Sequence, residues 1–347
     1  MARPLSRIGY SIGQGARVAW YAGHYLALNR MRGPLVSPDE KPFSIKGPIP
    51  KWQGIVARMR ELFVQDWKNI EAGLYRAPEG LMSPADAVAQ SLRFFKDARK
   101  VDERRLSRRH SEVMSEELRA RYPRYYLQNF HYQTDGWFSE KSAKLYDTQV
   151  EVLFSGTAGV MRRQALVPLA HALRGRDQRK LNMLEVACGT GGFLAELASN
   201  YPRLNVTGLD LSPAYIAKAR AELGRRRNVS LIEANAETMP LEDASQDVVT
   251  CIYLFHELPP KVRKVVAAEI ARVLKPGGTF ILVDALQTGD TPDFDGLLEV
   301  FPIGFHEPYF TSYLAEDFGK LFDAQSLTQT SVTPAFLSKV MVFEKRG

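Results

Sequence analysis

The chain changes its hydrophobic rhythm about halfway along. From Gly54 to Leu74 the apolar residues Ile55, Met59, Leu62, Phe63, Trp67 and Ile70 recur at spacings of three and four, which predicts an amphipathic helix. A second helix is expected behind Ser83, with Pro84 in its first turn, running to about Ala98. A third, strongly charged helix is expected over 102–121 and ends before Pro123. The five prolines within 33–51 predict an extended connector, and 122–138 is unusually aromatic. From Leu181 onward short apolar runs alternate with helical patterns: LNMLEVA, LNVTGLD, VSLIEA, DVVTCIY and TFILVDA. That alternation predicts βαβ units and a parallel sheet covered on both faces. Near the end, SLTQTSV and KVMVFEK predict two further strands able to pair antiparallel. The expected fold is a doubly wound α/β domain preceded by a mainly helical accessory region, with the division at residues 1–120 and 121–347. In such a domain a ligand sits beyond the carboxyl ends of the strands, at the topological switch point.

Composition narrows the class. With 45% hydrophobic and 24% charged residues, the 347-residue chain is ordinary for a globular protein, which excludes a collagen-like or largely disordered one. Two cysteines cannot build a disulfide framework or a cysteine-rich zinc site, so a reducing, cytoplasmic setting is expected. Charge is uneven: residues 1–150 hold 25 Lys and Arg against 16 Asp and Glu, so the net +7 belongs to the N-terminal part. The apolar stretch from Ile8 to Leu28 is broken by Arg17 and His24 and is too interrupted to span a membrane. Its basic flanks (Arg3, Arg7, Arg30, Arg32) and aromatics (Tyr10, Trp20, Tyr21, Tyr25) suit peripheral contact with the inner face of a membrane, and suit equally an arm packed on the domain.

The chemistry concentrates where strands end. The first β-run leads into Cys188-Gly189-Thr190-Gly191-Gly192, a glycine-rich turn opening a helix, where backbone approaches a ligand closely. The spacing is neither G-x-G-x-x-G nor a Walker loop. The second run ends at Asp210, 21 positions after Gly189, where a carboxylate can accept two ribose hydroxyls. Ser212 is the better helix cap at that point. After the fourth run come Tyr253, Phe255, His256 and Glu257. Cys251 lies inside an apolar run and reads as a buried structural thiol.

These segments resemble a class I S-adenosylmethionine-dependent methyltransferase. The resemblance rests on LEVACGTGGF, GLDLSP, EANAETMPLEDASQDVV, YLFHEL and ARVLKPGGTFILVD, in the family's order over about residues 181–285. It is closest to the branch of ubiquinone and menaquinone C-methyltransferases, and Lys144-Leu145-Tyr146-Asp147 extends it to about residue 140. It implies a Rossmann-like methyltransferase fold with a mostly parallel seven-stranded sheet, and S-adenosyl-L-methionine as cofactor. Carried over by position, Glu185, Ala187, Gly189 and Gly191 line the methionine part of the cofactor, and Tyr146 reaches its carboxylate. Asp210 takes the ribose hydroxyls, Leu211 packs on the adenine, and Asn235 with Ala236 lies beside the adenine amino group. Ala187 stands where many members have glycine, and Asn235 where the family often has Asp, which keeps an acceptor oxygen and loses the charge. Lys275-Pro276-Gly277-Gly278 reads as a helix-ending turn.

On the acceptor side, the resemblance places the end of the fourth strand opposite the transferable methyl. His256 is the candidate base, with Glu257 fixing its orientation and Tyr253 beside it. Phe255, Phe305, His306 and Tyr309 are the expected substrate wall, with Phe301, Glu307 and Phe310 in the same insertion and His131, Tyr132 and Trp137 closing from the other side. No compact metal-ligand set is legible. The expectation is a methyltransferase acting on a lipophilic small molecule: a quinone precursor, an unsaturated fatty acyl chain or an isoprenoid lipid. The resemblance favours C-methylation over O-methylation. Two rival readings are an RNA methyltransferase using the basic N-terminal region, and a non-catalytic cofactor-binding scaffold, which would need a damaged glycine turn.

Overall fold

Alternate residues of each central strand enter opposite cores, which explains why the strands read as unbroken apolar runs. Leu184, Val186, Val249, Cys251, Phe280 and Leu282 enter one core. Their neighbours Met183, Val248, Ile252, Ile281 and Val283 enter the other. The structure is a computed structural model that describes residues 6–33, 44–78 and 83–347. Its sheet comprises β1 (Asn182–Val186), β2 (Asn205–Asp210), β3 (Val229–Glu233), β4 (Gln246–Ile252), β5 (Leu274–Ala285), β6 (Leu327–Ala335) and β7 (Ser338–Lys345). The order is β3-β2-β1-β4-β5-β7-β6. The first five strands are parallel, and β7 runs antiparallel to both β5 and β6. The switch point lies between β1 and β4, so the glycine turn and the Tyr253–Glu257 segment open into one crevice.

The helices are α1 (Arg7–Met31), α2 (Trp52–Glu71), α3 (Pro84–Leu106), α4 (Glu116–Arg121), α5 (Glu140–Leu153), α6 (Ala158–Arg163), α7 (Leu166–Ala172), α8 (Gly192–Asn200), α9 (Pro213–Leu223), α10 (Pro260–Val273), α11 (Asp295–Gly304), α12 (Phe310–Leu314) and α13 (Phe318–Asp323). Helices α7, α8 and α9 cover one sheet face through Leu166, Leu194, Leu197 and Ile216. Helices α10 to α13 cover the other through Val266, Ile270, Leu298, Phe310 and Phe322.

Three local expectations change. The break predicted between residues 98 and 102 is absent: α3 runs on to Leu106, and only Glu116–Arg121 follows as a short helix capped by Ser115. Dense charge does not end a helix, and no Gly or Pro lies between Pro84 and Pro123 to do so. The Lys275–Gly278 turn is instead absorbed into β5 as an irregularity: the ladder to β4 passes from Gln246↔Leu274 directly to Val248↔Thr279. Gly277 takes φ +71 there. Most of the predicted connector (34–43) lies outside the described residues, while its end is held by Glu299, which accepts from the backbone of Lys46 and Gly47.

The N-terminal helices share packing with the domain. Met59 and Leu62 of α2 join the core beneath the sheet. Tyr21 and Leu28 of α1 meet Phe94 and Ala98 of α3 and Val152 of α5 in a core of their own. The polar key is Asp66, wholly buried, which accepts from the Arg163 guanidinium at 2.8 and 3.0 Å, from Tyr75 at 2.8 Å, from Gln164 at 3.2 Å and from Tyr10. Of this N-terminal roof, α1 and α3 line a cavity together with Tyr253 and His256 from the end of β4.

Candidate functional site

The glycine turn is made by left-handed backbone at alternate positions. Ala187 (φ +56), Gly189 (φ +56) and Gly191 (φ +84) reverse the chain between β1 and α8. For Ala187 that conformation is strained, and strain of this kind collects at functional sites. A Cβ at Gly191 would lie 3.0 Å from the Cβ of Ala219, so glycine lets the turn press against α9. Asp210, at the tip of β2, accepts from the backbone N–H of Gly189 and of Ser212, both at 2.8 Å. It thereby locks the turn to the second strand. Burial pushes the Asp210 carboxyl up to about 6, against the pull of those backbone donors. Ser212 caps α9 by accepting from Tyr215 N–H.

Sequence reasoning missed part of this shell. Asp147 accepts from Thr190 at 2.8 Å and so holds the turn from α5; burial raises its pKa. Arg162 lies against Gly192, its Nη1 3.7 Å from where a Cβ would stand there. It faces Glu151 at 3.6 Å and places a cation beside the glycine turn. The adjacent basic pair Arg162-Arg163 was the only signal in the sequence, and nothing local told their roles apart. Tyr146 packs on Gly189 and meets Trp137 edge-on.

The residues around the turn suit a polar ligand that brings its own donors and acceptors. Buried polar atoms without a hydrogen-bond partner among the described residues include Glu185 Oε2, the Tyr126 hydroxyl and Trp137 Nε1. Glu185 is pushed well above the usual carboxylate range by burial and by Asp210, against Arg162. Orphaned groups of this kind cost free energy unless a ligand meets them. Asn235 is less available than expected. Its amide donates to Glu237 at 3.1 Å and its oxygen accepts the Glu237 N–H at 3.0 Å. Leu211 and Ala236 are half-buried beside it.

At the end of β4, His256 is buried and its Nδ1 lies 2.6 Å from Asp284, which also accepts the Phe255 N–H at 2.9 Å. The orienting carboxylate is thus Asp284 of β5; Glu257 stands 3.9 Å from Nε2. Burial lowers the pKa of His256, but Asp284 outweighs it, and the ring rises to about 9. Glu257 is driven well above the usual carboxylate range by burial, then by Glu307 and Asp284, against the pull of His256. Tyr253, at φ +58, shares its hydroxyl with Ser338 at 2.7 Å and stacks on Phe154.

These groups form the inner end of a cavity of about 560 Å³ with mainly apolar walls. From Tyr146, Tyr253, His256 and Glu257 it runs past Leu153, Leu298, Phe301, Phe305 and Phe310 to Tyr25 and Leu28 of α1, Arg32 just after it, and Phe94 and Val101 of α3. Of the expected wall, Phe305 lines it. Phe255 does not: it is wholly buried against Phe318 and Phe322. His306 and Tyr309 are both bonded to Gln128, outside the lining. Burial and His110 lower the His306 ring to about 4. The side chains of a 3₁₀ turn and an irregular insertion carry no periodicity, so their facing was not legible. The fold also assembles a set the sequence hid: ligand atoms of His131, Glu257 and Glu307 all lie within 4.8 Å of one another.

Residues 183–278 match a family model described as a methyltransferase domain, so the chain carries that domain. The match implies S-adenosyl-L-methionine as the cofactor. The chain is 34% identical over 144 residues to demethylmenaquinone methyltransferase of Deinococcus radiodurans, covering 41% of this chain and 56% of that one. It is 31% identical over 162 residues to the ubiquinone/menaquinone biosynthesis C-methyltransferase UbiE of Methylobacterium nodulans, covering 46% and 62%. The matched stretch therefore spans somewhat over half the length of these relatives. Among solved structures, it resembles a SAM-dependent methyltransferase from Aquifex aeolicus at 16% identity and a TM-score of 0.43, over 60% of this chain and 98% of that one.

Proposed function

We propose that the methyltransferase domain serves S-adenosyl-L-methionine-dependent methylation of a lipophilic small molecule, with C-methylation favoured over O-methylation. The observation that carries this reading is the apolar cavity running from the cofactor crevice to the N-terminal helices. A cavity of that size and lining suits an extended hydrocarbon with a polar reacting end. The relatives' names, demethylmenaquinone methyltransferase and ubiquinone/menaquinone C-methyltransferase, make a quinone precursor the leading acceptor class.

Bound in the crevice, S-adenosyl-L-methionine supplies a methyl group on a positively charged sulfur that leaves as a neutral thioether. The protein's task is then to position the acceptor and exclude water. In this reading Glu185, Arg162 and the turn from Ala187 to Gly191 hold the methionine part, Tyr146 covers it, and Asp210 takes the ribose hydroxyls. Leu211, Asn235 and Ala236 border the adenine. His256, oriented by Asp284, meets the acceptor's oxygen at the inner end of the cavity; with its ring at about 9 it is protonated near neutral pH and stabilises the acceptor's anion, taking a proton only once it has itself lost one. Glu257 lies beside it, and Tyr253 is a wall residue that shapes the cavity. His256→Ala is expected to lower turnover about 100-fold or more, with cofactor affinity unchanged. Equal turnover in the variant would remove that role.

The roof supports peripheral membrane contact. Among the described residues, large apolar side chains left exposed fall mostly before residue 107, including Ile8, Ile12, Leu26, Trp52 and Leu92. The same part of the chain carries the positive charge, which complements anionic lipid. The outer end of the cavity is lined by the same helices. The full chain is expected to float with anionic vesicles and less with zwitterionic ones. No flotation at low salt would leave the roof as packing alone.

The function itself is tested by mass spectrometry of quinone and lipid extracts from a deletion strain beside its parent. A lipophilic species lacking one methyl group identifies acceptor and reaction together. Unchanged extracts, with purified protein inactive on both, would reject the lipophilic acceptor.

A further inference from the structure

We propose that His131, Glu257 and Glu307 form a binding site for a divalent transition-metal ion at the inner end of the acceptor cavity. This goes beyond methyl transfer and stands on the geometry of the three side chains.

Glu307 is 3% exposed, and neither of its carboxylate oxygens has a hydrogen-bond partner among the described residues. A buried carboxylate left in that state is costly unless something positive meets it. The nearest donor is His131 Nε2, 2.9 Å from Oε1. That approach is close, yet the contact does not have the alignment of a hydrogen bond. Two ligands about 2.1 Å from one ion, at right angles, lie about 3.0 Å apart, which is the spacing found here. A carboxylate oxygen of Glu257 completes the set, all within 4.8 Å.

The elements that bring the three together are independent. Glu257 ends the turn after β4, and Glu307 lies between α11 and α12. His131 comes from the aromatic segment, where it and Tyr132 adopt φ +54 and +55. Its ring meets Phe301 and Phe305 edge-on, which fixes its direction. His256, another nearby cationic group, is bonded to Asp284 at 2.6 Å.

One imidazole and two carboxylates suit Mn²⁺, Fe²⁺ or Zn²⁺ better than a soft-metal site. His131 and Glu257 both line the cavity, so positions not taken by protein would face the acceptor. The acceptor class such an ion selects is one carrying adjacent oxygens, whose hydroxyl pKa it would lower.

The test uses the purified full chain and no acceptor, so it reads independently of turnover. Titration with Mn²⁺, with the free ion followed by electron paramagnetic resonance, is expected to show one saturable site per chain. Glu307→Gln and His131→Ala should each weaken it at least about tenfold. Unchanged circular dichroism and S-adenosyl-L-methionine binding would certify the fold of each variant. Should Glu307→Gln fail to fold, the half-buried His131 decides the matter. No saturable binding of Mn²⁺ or Zn²⁺ up to about 1 mM, or equal affinity in the folded variants, would overturn the site.

Discussion

Asp66→Ala is expected to destabilise the chain by about 3–5 kcal/mol, because it strips the buried Arg163 guanidinium of its two-pronged partner and leaves it only Glu196 at 3.4 Å. The loss is not confined to one ion pair. Asp66 also accepts from Tyr10 of α1, from Tyr75 and from Gln164 at the end of α6, so four donor side chains lose a shared acceptor. Natural domains hold only about 5–15 kcal/mol in all, so a midpoint shift should be plain in urea unfolding. Proteolysis should then begin in the N-terminal helices. A second variant separates charge from packing. Asp66→Leu with Arg163→Met removes both charges and is expected to recover part of the loss, since a buried ion pair is weak evidence of net stabilisation. If Asp66→Ala unfolded at the wild-type midpoint, the roof would not be keyed to the domain through this carboxylate.

Asp210→Asn is expected to weaken S-adenosyl-L-methionine binding about 100-fold, measured by calorimetry. An amide offers one acceptor oxygen where the carboxylate offers two. It therefore loses either a ribose hydroxyl or one of the backbone donors at Gly189 and Ser212. Charge-assisted hydrogen bonds are worth about 1.5–3 kcal/mol each, and a factor of 100 is about 2.7 kcal/mol. The pH dependence has a definite sign. The Asp210 carboxyl in the free protein titrates near 6, and only the ionised form accepts two hydroxyls. Wild-type affinity should therefore fall as pH drops through about 6, and the Asp210→Asn variant should lack that step. Stability moves the opposite way. A carboxyl whose folded pKa lies above its unfolded value favours the folded state at low pH. That contribution is lost as pH rises from about 4 to about 6. The substitution should accordingly cost far less stability than affinity, and unchanged affinity would remove Asp210 from the cofactor site.

What was legible in the sequence was local. Short unbroken apolar runs, glycine at left-handed positions and an acidic residue one βα unit after the turn are set by backbone sterics and by neighbours along the chain. They located the sheet, the glycine turn, Asp210 and Ser212 without any tertiary information. The antiparallel terminal pair was visible for the same reason. The boundary error in α3 shows the limit of that reasoning, because charge density mimics a change of element where the backbone makes none.

Which polar side chains meet was settled by packing. Asp284 was an ordinary strand residue in sequence and became the partner that orients His256, 28 positions away. Asp66 read as one polar position on an amphipathic helix and became the buried acceptor for Arg163, 97 positions on. Phe255 left the acceptor wall for the core, and Glu307 came to rest beside His131, 176 positions away in sequence. The physical reason is the same throughout. Backbone preference acts over a turn or a strand, whereas the pairing of buried charges depends on where separate elements come to rest. The frame and the cofactor turn were therefore written locally along the chain, and the acceptor side took shape only when distant elements packed together.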